Sequence, residues 1–224
     1  MTSPERSSDQ LRRYYDGCLS THGDSAKGAG WPNEEDRQTR FAIMRDLAPG
    51  GAMDDVCDLA CGTGAFLEHL VASGVTPTRY LGVDISHAAI AAARAKHGPE
   101  AFAIHDIAQG PLPATAPFDY VVANGLFTVR ASIPEAEMWE FLRSSVASMW
   151  KMARFGMAFN VMSAVVDWRR DDLFHVPSDA LLEMLYAIAG RRVILRADYD
   201  LYEYTAYVYR RPVAARRERQ LRGG

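Results

Sequence analysis

The segment Val56-Cys57-Asp58-Leu59-Ala60-Cys61-Gly62-Thr63-Gly64 constrains this chain more than any other. Its apolar run reads as a short buried strand over residues 56–60 that delivers one carboxylate, Asp58, before a glycine turn. Gly62 and Gly64 permit backbone angles closed to other residues, so a ligand can come close to the main chain. A helix predicted over 65–72 opens directly behind the turn, with unpaired N–H groups facing it. Strand, acid, turn and helix in that order point to an α/β sheet that binds ligands at the carboxyl ends of its strands.

The remaining pattern extends this reading. A second strand, 80–83, ends in Asp84, about where nucleoside-binding sheets place a ribose-binding carboxylate some 20 residues past the glycine turn. An alanine-rich helix over 86–96 follows. Strands are predicted at 102–104 and 120–123, with Asp106 and Asn124 just past their ends. Ser132 and Glu135 have capping-box spacing, Pro134 suits a first turn, and Met138, Phe141, Leu142, Val146 and Met149 recur at helical spacing. Gly156 is read as the end of that helix. A strand at 157–162 and a helix capped by Ser178 and stopped by Gly190 come next. The last two strands, 193–196 and 202–209, are joined too closely for a crossover and must pair antiparallel. The expected fold is a Rossmann-like three-layer α/β sandwich. Its mostly parallel seven-stranded sheet is closed by an antiparallel C-terminal hairpin.

Upstream, a short helix over 11–19 carries Tyr14 and Tyr15. A loop with three glycines and Pro32 precedes a second helix, capped by Asn33 and begun by Glu34, Glu35 and Asp36. The organisation expected is an N-terminal helical lid or substrate segment (1–50), a core (51–212) and a flexible Arg-rich tail (213–224). A net charge of −3 predicts no general attraction to nucleic acid or anionic membranes. The N-terminus lacks the apolar core of a signal peptide, and no apolar run approaches the roughly 18 residues a membrane span needs. Three cysteines without disulfide spacing suit a reducing compartment, so a cytoplasmic protein is expected; it is expected to be a monomer or homodimer.

Taken together, Asp58 through Gly64, Asp84, Asp106 and the closing hairpin resemble the class I S-adenosylmethionine-dependent methyltransferases. The resemblance covers about 56–209. It implies that S-adenosylmethionine is bound, with S-adenosylhomocysteine as product. Asp58, Ala60, Gly62, Thr63 and Gly64 would form the first motif and Asp84 would hold the ribose. Asp106 would meet the adenine amino group between Ile85 and Ile107, and Asn124 the methionine end or the substrate. Trp31 and Arg40 would cover the cofactor from the N-terminal segment, with Arg40 suited to pairing the methionine carboxylate.

Alignment behind an activated methyl group is the main catalytic demand. Where a base is needed, His175 and Tyr15 are the first candidates, with Tyr14 and His105 behind them. The insertion 163–177, with Trp168 and Phe174, is where acceptor specificity is expected. Two other readings stay open: a nicotinamide-dinucleotide enzyme and a non-catalytic S-adenosylmethionine-binding protein. Against the first, the third glycine of the dinucleotide fingerprint falls on Leu67. No metal site is expected, because Arg169 and Arg170 lie among Asp167, Asp171, Asp172 and His175, and Cys57 and Cys61 lack a second ligand pair. Asn124-Gly125-Leu126-Phe127 lacks the prolines with which nucleic-acid methyltransferases hold a flipped base. A small-molecule acceptor methylated on oxygen or nitrogen is therefore expected, with neither nucleic acid nor membrane as partner.

Overall fold

The computed structural model describes residues 6–113 and 116–211. The tail predicted over 213–224 lies outside the described residues. Helices α1 (Ser7–His22) and α2 (Glu34–Arg45) precede strand β1 (Asp55–Leu59). Then come α3 (Ala65–Ala72), β2 (Arg79–Asp84), α4 (His87–His97), β3 (Phe102–Ile104) and β4 (Phe118–Phe127). The second half runs α5 (Glu135–Met152), β5 (Ala153–Ser163), β6 (His175–Val176), α6 (Ser178–Ala189), β7 (Val193–Arg196) and β8 (Glu203–Tyr209).

The sheet order is β3-β2-β1-β4-β5-β8-β7, with β8 antiparallel to both β5 and β7. Seven strands make this path, and the two-residue β6 adds to the far end of β5. Apolar side chains pack on both faces, as a sheet covered by helices requires. Met157, Phe159 and Val161 of β5 join Met138, Leu142, Val146 and Met149 of α5 and Leu181 and Leu185 of α6. Ala158 and Val122 face the other way, onto Phe41 and Met44 of α2 and Phe66 and Leu70 of α3. Strand order reverses at β1, which has β2 on one side and β4 on the other. A crevice opens outside the carboxyl ends of strands at such a reversal.

Local chemistry explains most element ends. Asn33 caps α2 by accepting from the Asp36 N–H at 2.8 Å, and Ser86 caps α4 by accepting from Ala89 at 3.0 Å. Three expectations need correction. Ser132 does not form a capping box: the chain turns through Ala131 at φ 50°, α5 starts only after Pro134, and Ser132 points to Gln10 instead. Gly156 does not end that helix, which gives way to β5 at Ala153; Gly156 pairs within the sheet with Tyr120 and Tyr209. β4 runs past Ala123 to Phe127, because its register against β5 shifts and pairing resumes at Phe127↔Val161.

Candidate active site

The turn after β1 is a left-handed loop. Ala60, Gly62 and Gly64 take φ of 56°, 55° and 86°. Gly64 is the N-cap of α3, and a Cβ there would stand 2.9 Å from the His97 ring and 3.0 Å from Phe102. The loop is tied to β2 by Cys61 N–H donating to the Val83 carbonyl at 3.1 Å. Gly62 N–H donates to Asp84 Oδ2 at 2.9 Å, and Ser86 N–H donates to Asp84 Oδ1 at 2.8 Å. Each Asp84 oxygen therefore keeps acceptor capacity for a ligand hydroxyl. Burial pushes the Asp84 carboxyl up from its ordinary value, and these backbone donors pull against it.

Asp58 lies deeper, 2% exposed, and accepts from the Tyr80 hydroxyl at 2.8 Å. Burial pushes its pKa up to about 7; the Tyr80 hydrogen bond opposes the rise and the Asp84 charge adds to it.

Beyond β3, Asp106 is already engaged. Its Oδ2 accepts from Ser8 at 2.7 Å and Gln109 at 2.9 Å, and its Oδ1 accepts from Ala108 N–H at 3.1 Å. Across the crevice, the buried Oδ1 of Asn124 has no hydrogen-bond partner among the described residues. A buried acceptor left without a donor is costly, and Asn124 itself lines the cavity.

The N-terminal segment crosses the open side and is pinned at four places. Ser8 donates to Asp106, and Ser86 Oγ donates to Asp16 at 2.5 Å. Tyr15 donates to the Gly125 carbonyl at 3.1 Å, and Thr63 donates to Asp24 at 2.5 Å. Lys96 bridges Asp24 and Glu68 at 2.7 Å each. Trp31 lies close against Gly125, whose φ is 86°; a Cβ on that glycine would stand 2.5 Å from the indole.

One cavity is lined by Asp58, Ala60, Gly62, Thr63, Asp84, Ile85, Asp106, Ile107, Asn124, Trp31 and Tyr15, with Leu126, Phe141 and His105. Gly64 stands behind this lining as the helix cap. Three residues expected at the site are engaged differently from expectation. Arg40 does not face the cavity: it is 7% exposed, and its Nε donates to both carboxylate oxygens of Glu203 at 3.0 Å, with its guanidinium over Trp31. His175 does not line the cavity. Its Nδ1 lies 2.7 Å from the Ser163 carbonyl and its Nε2 accepts from Arg170 N–H at 3.5 Å. Tyr15 lines the cavity, but its hydroxyl donates to the Gly125 carbonyl, and burial pushes its pKa above the ordinary phenol value. Trp168 packs on Tyr202 and His175, and none of the three lines the cavity.

Sequence reasoning missed Ser8, Asp16 and Asp24, polar residues with no local pattern to mark them. It also missed Asn160 and Glu203, which join Arg40 behind the cavity. Their signal was a polar residue inside or at the edge of an apolar strand. Among the described residues, no His, Cys, Asp or Glu cluster is placed to hold a metal ion, and no helix is long and apolar enough to cross a membrane.

This sheet, switch-point cavity and left-handed glycine loop define the Rossmann-like fold of class I methyltransferases. A family model described as a methyltransferase domain matches residues 56–147. A Mycobacterium tuberculosis protein, Rv1506c, that carries the name methyltransferase is 33% identical over 153 residues, covering 67% of this chain and 90% of that one. The chain belongs to this methyltransferase family. Among solved structures it is similar to magnesium protoporphyrin IX methyltransferase from Synechocystis PCC 6803 with bound S-adenosylmethionine. The TM-score is 0.65 at 16% identity, over 94% of this chain and 100% of the other. It is also similar to the 1,6-didemethyltoxoflavin-N1-methyltransferase of Burkholderia thailandensis, with a TM-score of 0.61 at 16% identity over 93% and 92% of the two chains. At such identities the shared feature is the fold.

Proposed function

We propose that this chain transfers a methyl group from S-adenosylmethionine to an oxygen or nitrogen of a small-molecule acceptor. One observation carries the reading. A single cavity is lined by Asp84, whose oxygens keep free acceptor sites, and by Asn124, whose buried Oδ1 has no partner among the described residues. A nucleoside with two ribose hydroxyls and an amino-acid ammonium supplies donors for both.

In this reading Asp84 holds the ribose, and Ile85 and Ile107 wall the adenine. Asp106 has one acceptor position left for the adenine amino group, because Ser8, Gln109 and Ala108 occupy the others. Ala60, Gly62, Thr63 and Gly64 let the methionine portion approach the backbone. Asp58 and Asn124 face the ammonium end, and Trp31 covers it. The cofactor, when bound, supplies a methyl group already activated on a sulfonium. The protein's own part is to orient the acceptor and exclude water. In this reading the described residues up to 50 form the cover and those from 51 on form the core.

A small acceptor is supported by the apolar residues Leu11, Leu19, Leu126 and Phe141 in the lining, and by the small molecules named for the Synechocystis and Burkholderia proteins. The free cysteines Cys18, Cys57 and Cys61 suit work in the reducing cytoplasm.

The test is calorimetric titration of S-adenosylmethionine and NAD separately into the wild type and Asp84→Ala. S-adenosylmethionine binding in the micromolar range, lost in the variant, is expected. Binding of NAD alone would overturn the reading.

A further inference from the structure

A buried polar chain runs from behind the cavity to its wall; Arg40, Glu203 and Asn160 do not line the cavity, and Gly125 does. Arg40 of α2 donates to both carboxylate oxygens of Glu203 on β8 at 3.0 Å. Asn160 of β5 donates its Nδ2 to Glu203 Oε1 at 3.0 Å and accepts the Gly125 N–H on its Oδ1 at 2.7 Å. The Gly125 carbonyl in turn accepts from Tyr15 at 3.1 Å and Thr128 at 3.0 Å. Arg40, Glu203 and Asn160 are 7%, 2% and 0% exposed.

A buried ion pair of this kind adds little net stability, since desolvation offsets its attraction, and apolar residues of similar volume pack at least as well. Asn160 likewise interrupts an apolar strand between Phe159 and Val161. What the chain does provide is orientation. An amide side chain has one donor end and one acceptor end. Glu203, held by Arg40, accepts only, so it turns the Asn160 NH2 toward itself and leaves Oδ1 aimed at Gly125. That bond fixes a glycine peptide that would otherwise be among the freest in the sheet. Three cavity features depend on it: Asn124 precedes Gly125, Trp31 lies on its α-carbon, and Tyr15 is tied to its carbonyl.

We propose that Asn160 and Glu203 are positioning residues, through which the Arg40 ion pair fixes the Gly125 peptide and so sets both Asn124 and the N-terminal cover over the cavity.

The test is amide hydrogen exchange on the full ligand-free chain, wild type against Asn160→Leu, Glu203→Gln and, as a buried control outside the chain, Ser148→Ala. In Asn160→Leu, exchange at 124–128 and 11–31 is expected to rise about tenfold, the effect of one lost buried hydrogen bond, while 181–189 in α6 is unchanged. Should Asn160→Leu fail to fold, Glu203→Gln decides. It keeps the size and one acceptor but removes the charge, and a rise of about threefold confined to the same segments is expected. Unchanged exchange, or a uniform rise that includes α6, would reduce the chain to a structural role and overturn the proposal. Affinity for S-adenosylmethionine is expected to fall in step with the local exchange; that arm alone rests on the proposed function. A wild type that binds no S-adenosylmethionine yet shows the local exchange pattern in its variants would refute the function and leave this inference standing.

Discussion

Tyr80 on β2 donates its hydroxyl to Asp58 on β1 at 2.8 Å, inside a sheet where Asp58 is 2% exposed. The pair sets a carboxyl that titrates near neutrality, at about 7, because burial outweighs the hydrogen bond.

The sign of the resulting pH dependence follows from linkage. The folded-state pKa lies above the ordinary 3.8. The contribution of Asp58 to stability is therefore full at pH below about 4 and is lost as pH rises through about 7, by up to about 1.4 kcal/mol per unit. Asp58→Asn keeps an acceptor for Tyr80 and has no charge to desolvate. It is expected to melt above wild type at pH 8 and near it at pH 4, while binding S-adenosylmethionine more weakly. Melting curves at the two pH values check this; an equal difference at both would contradict it.

A cationic ammonium beside Asp58 favours its ionised form, so cofactor binding is expected to release a proton below pH 7 and to weaken as pH falls. Calorimetry in buffers of different ionisation enthalpy measures that proton. Tyr80→Phe removes the bond that holds the pKa down, so the profile is expected to move to higher pH.

Two substitutions separate backbone strain from crowding. Ala60→Gly relieves a left-handed residue at φ 56°, worth roughly 1–2 kcal/mol, against roughly 0.5–1 kcal/mol lost to chain entropy. Slight stabilisation with unchanged cofactor affinity is expected. Gly125→Ala adds a Cβ 2.5 Å from the Trp31 indole at φ 86° and is expected to cost roughly 1–3 kcal/mol and to displace Trp31. Denaturant melts measure the stabilities, and Trp31 fluorescence the displacement.

The N-terminal segment is held to the core by polar contacts, including Asp16 with Ser86 and Ser8 with Asp106. Ser8→Ala and Asp16→Ala are each expected to speed cofactor dissociation by about three- to tenfold, one hydrogen bond's worth, with association little changed. Stopped-flow dissociation distinguishes this from a uniform loss of affinity.

Much of the fold was legible because its signals are local and periodic. Asn33 and Ser86 cap the helices they precede, Gly190 stops α6, and the short link after Arg196 forces the closing strands antiparallel. The carboxylates at strand ends were legible for the same reason, since Asp58 and Asp84 follow directly from strand, turn and spacing. What escaped was long-range pairing. Arg40 reads as a free cation in sequence, and only the approach of β8 to α2 supplies Glu203, 163 positions away. His175 reads as a loop histidine, yet a two-residue strand pairs it with Met162 and turns it to the Ser163 carbonyl. Ser132 had capping spacing, but the positive φ at Ala131 belongs to a turn that sequence does not mark.

The most direct measurement of the central claim follows the methyl group itself. Purified protein would be incubated with methyl-labelled S-adenosylmethionine and a cell extract, then separated into small-molecule, protein and nucleic-acid fractions. Label is predicted in the small-molecule fraction with the wild type and not with Asp84→Ala. Label confined to protein or nucleic acid, or no transfer to any fraction, would contradict the account.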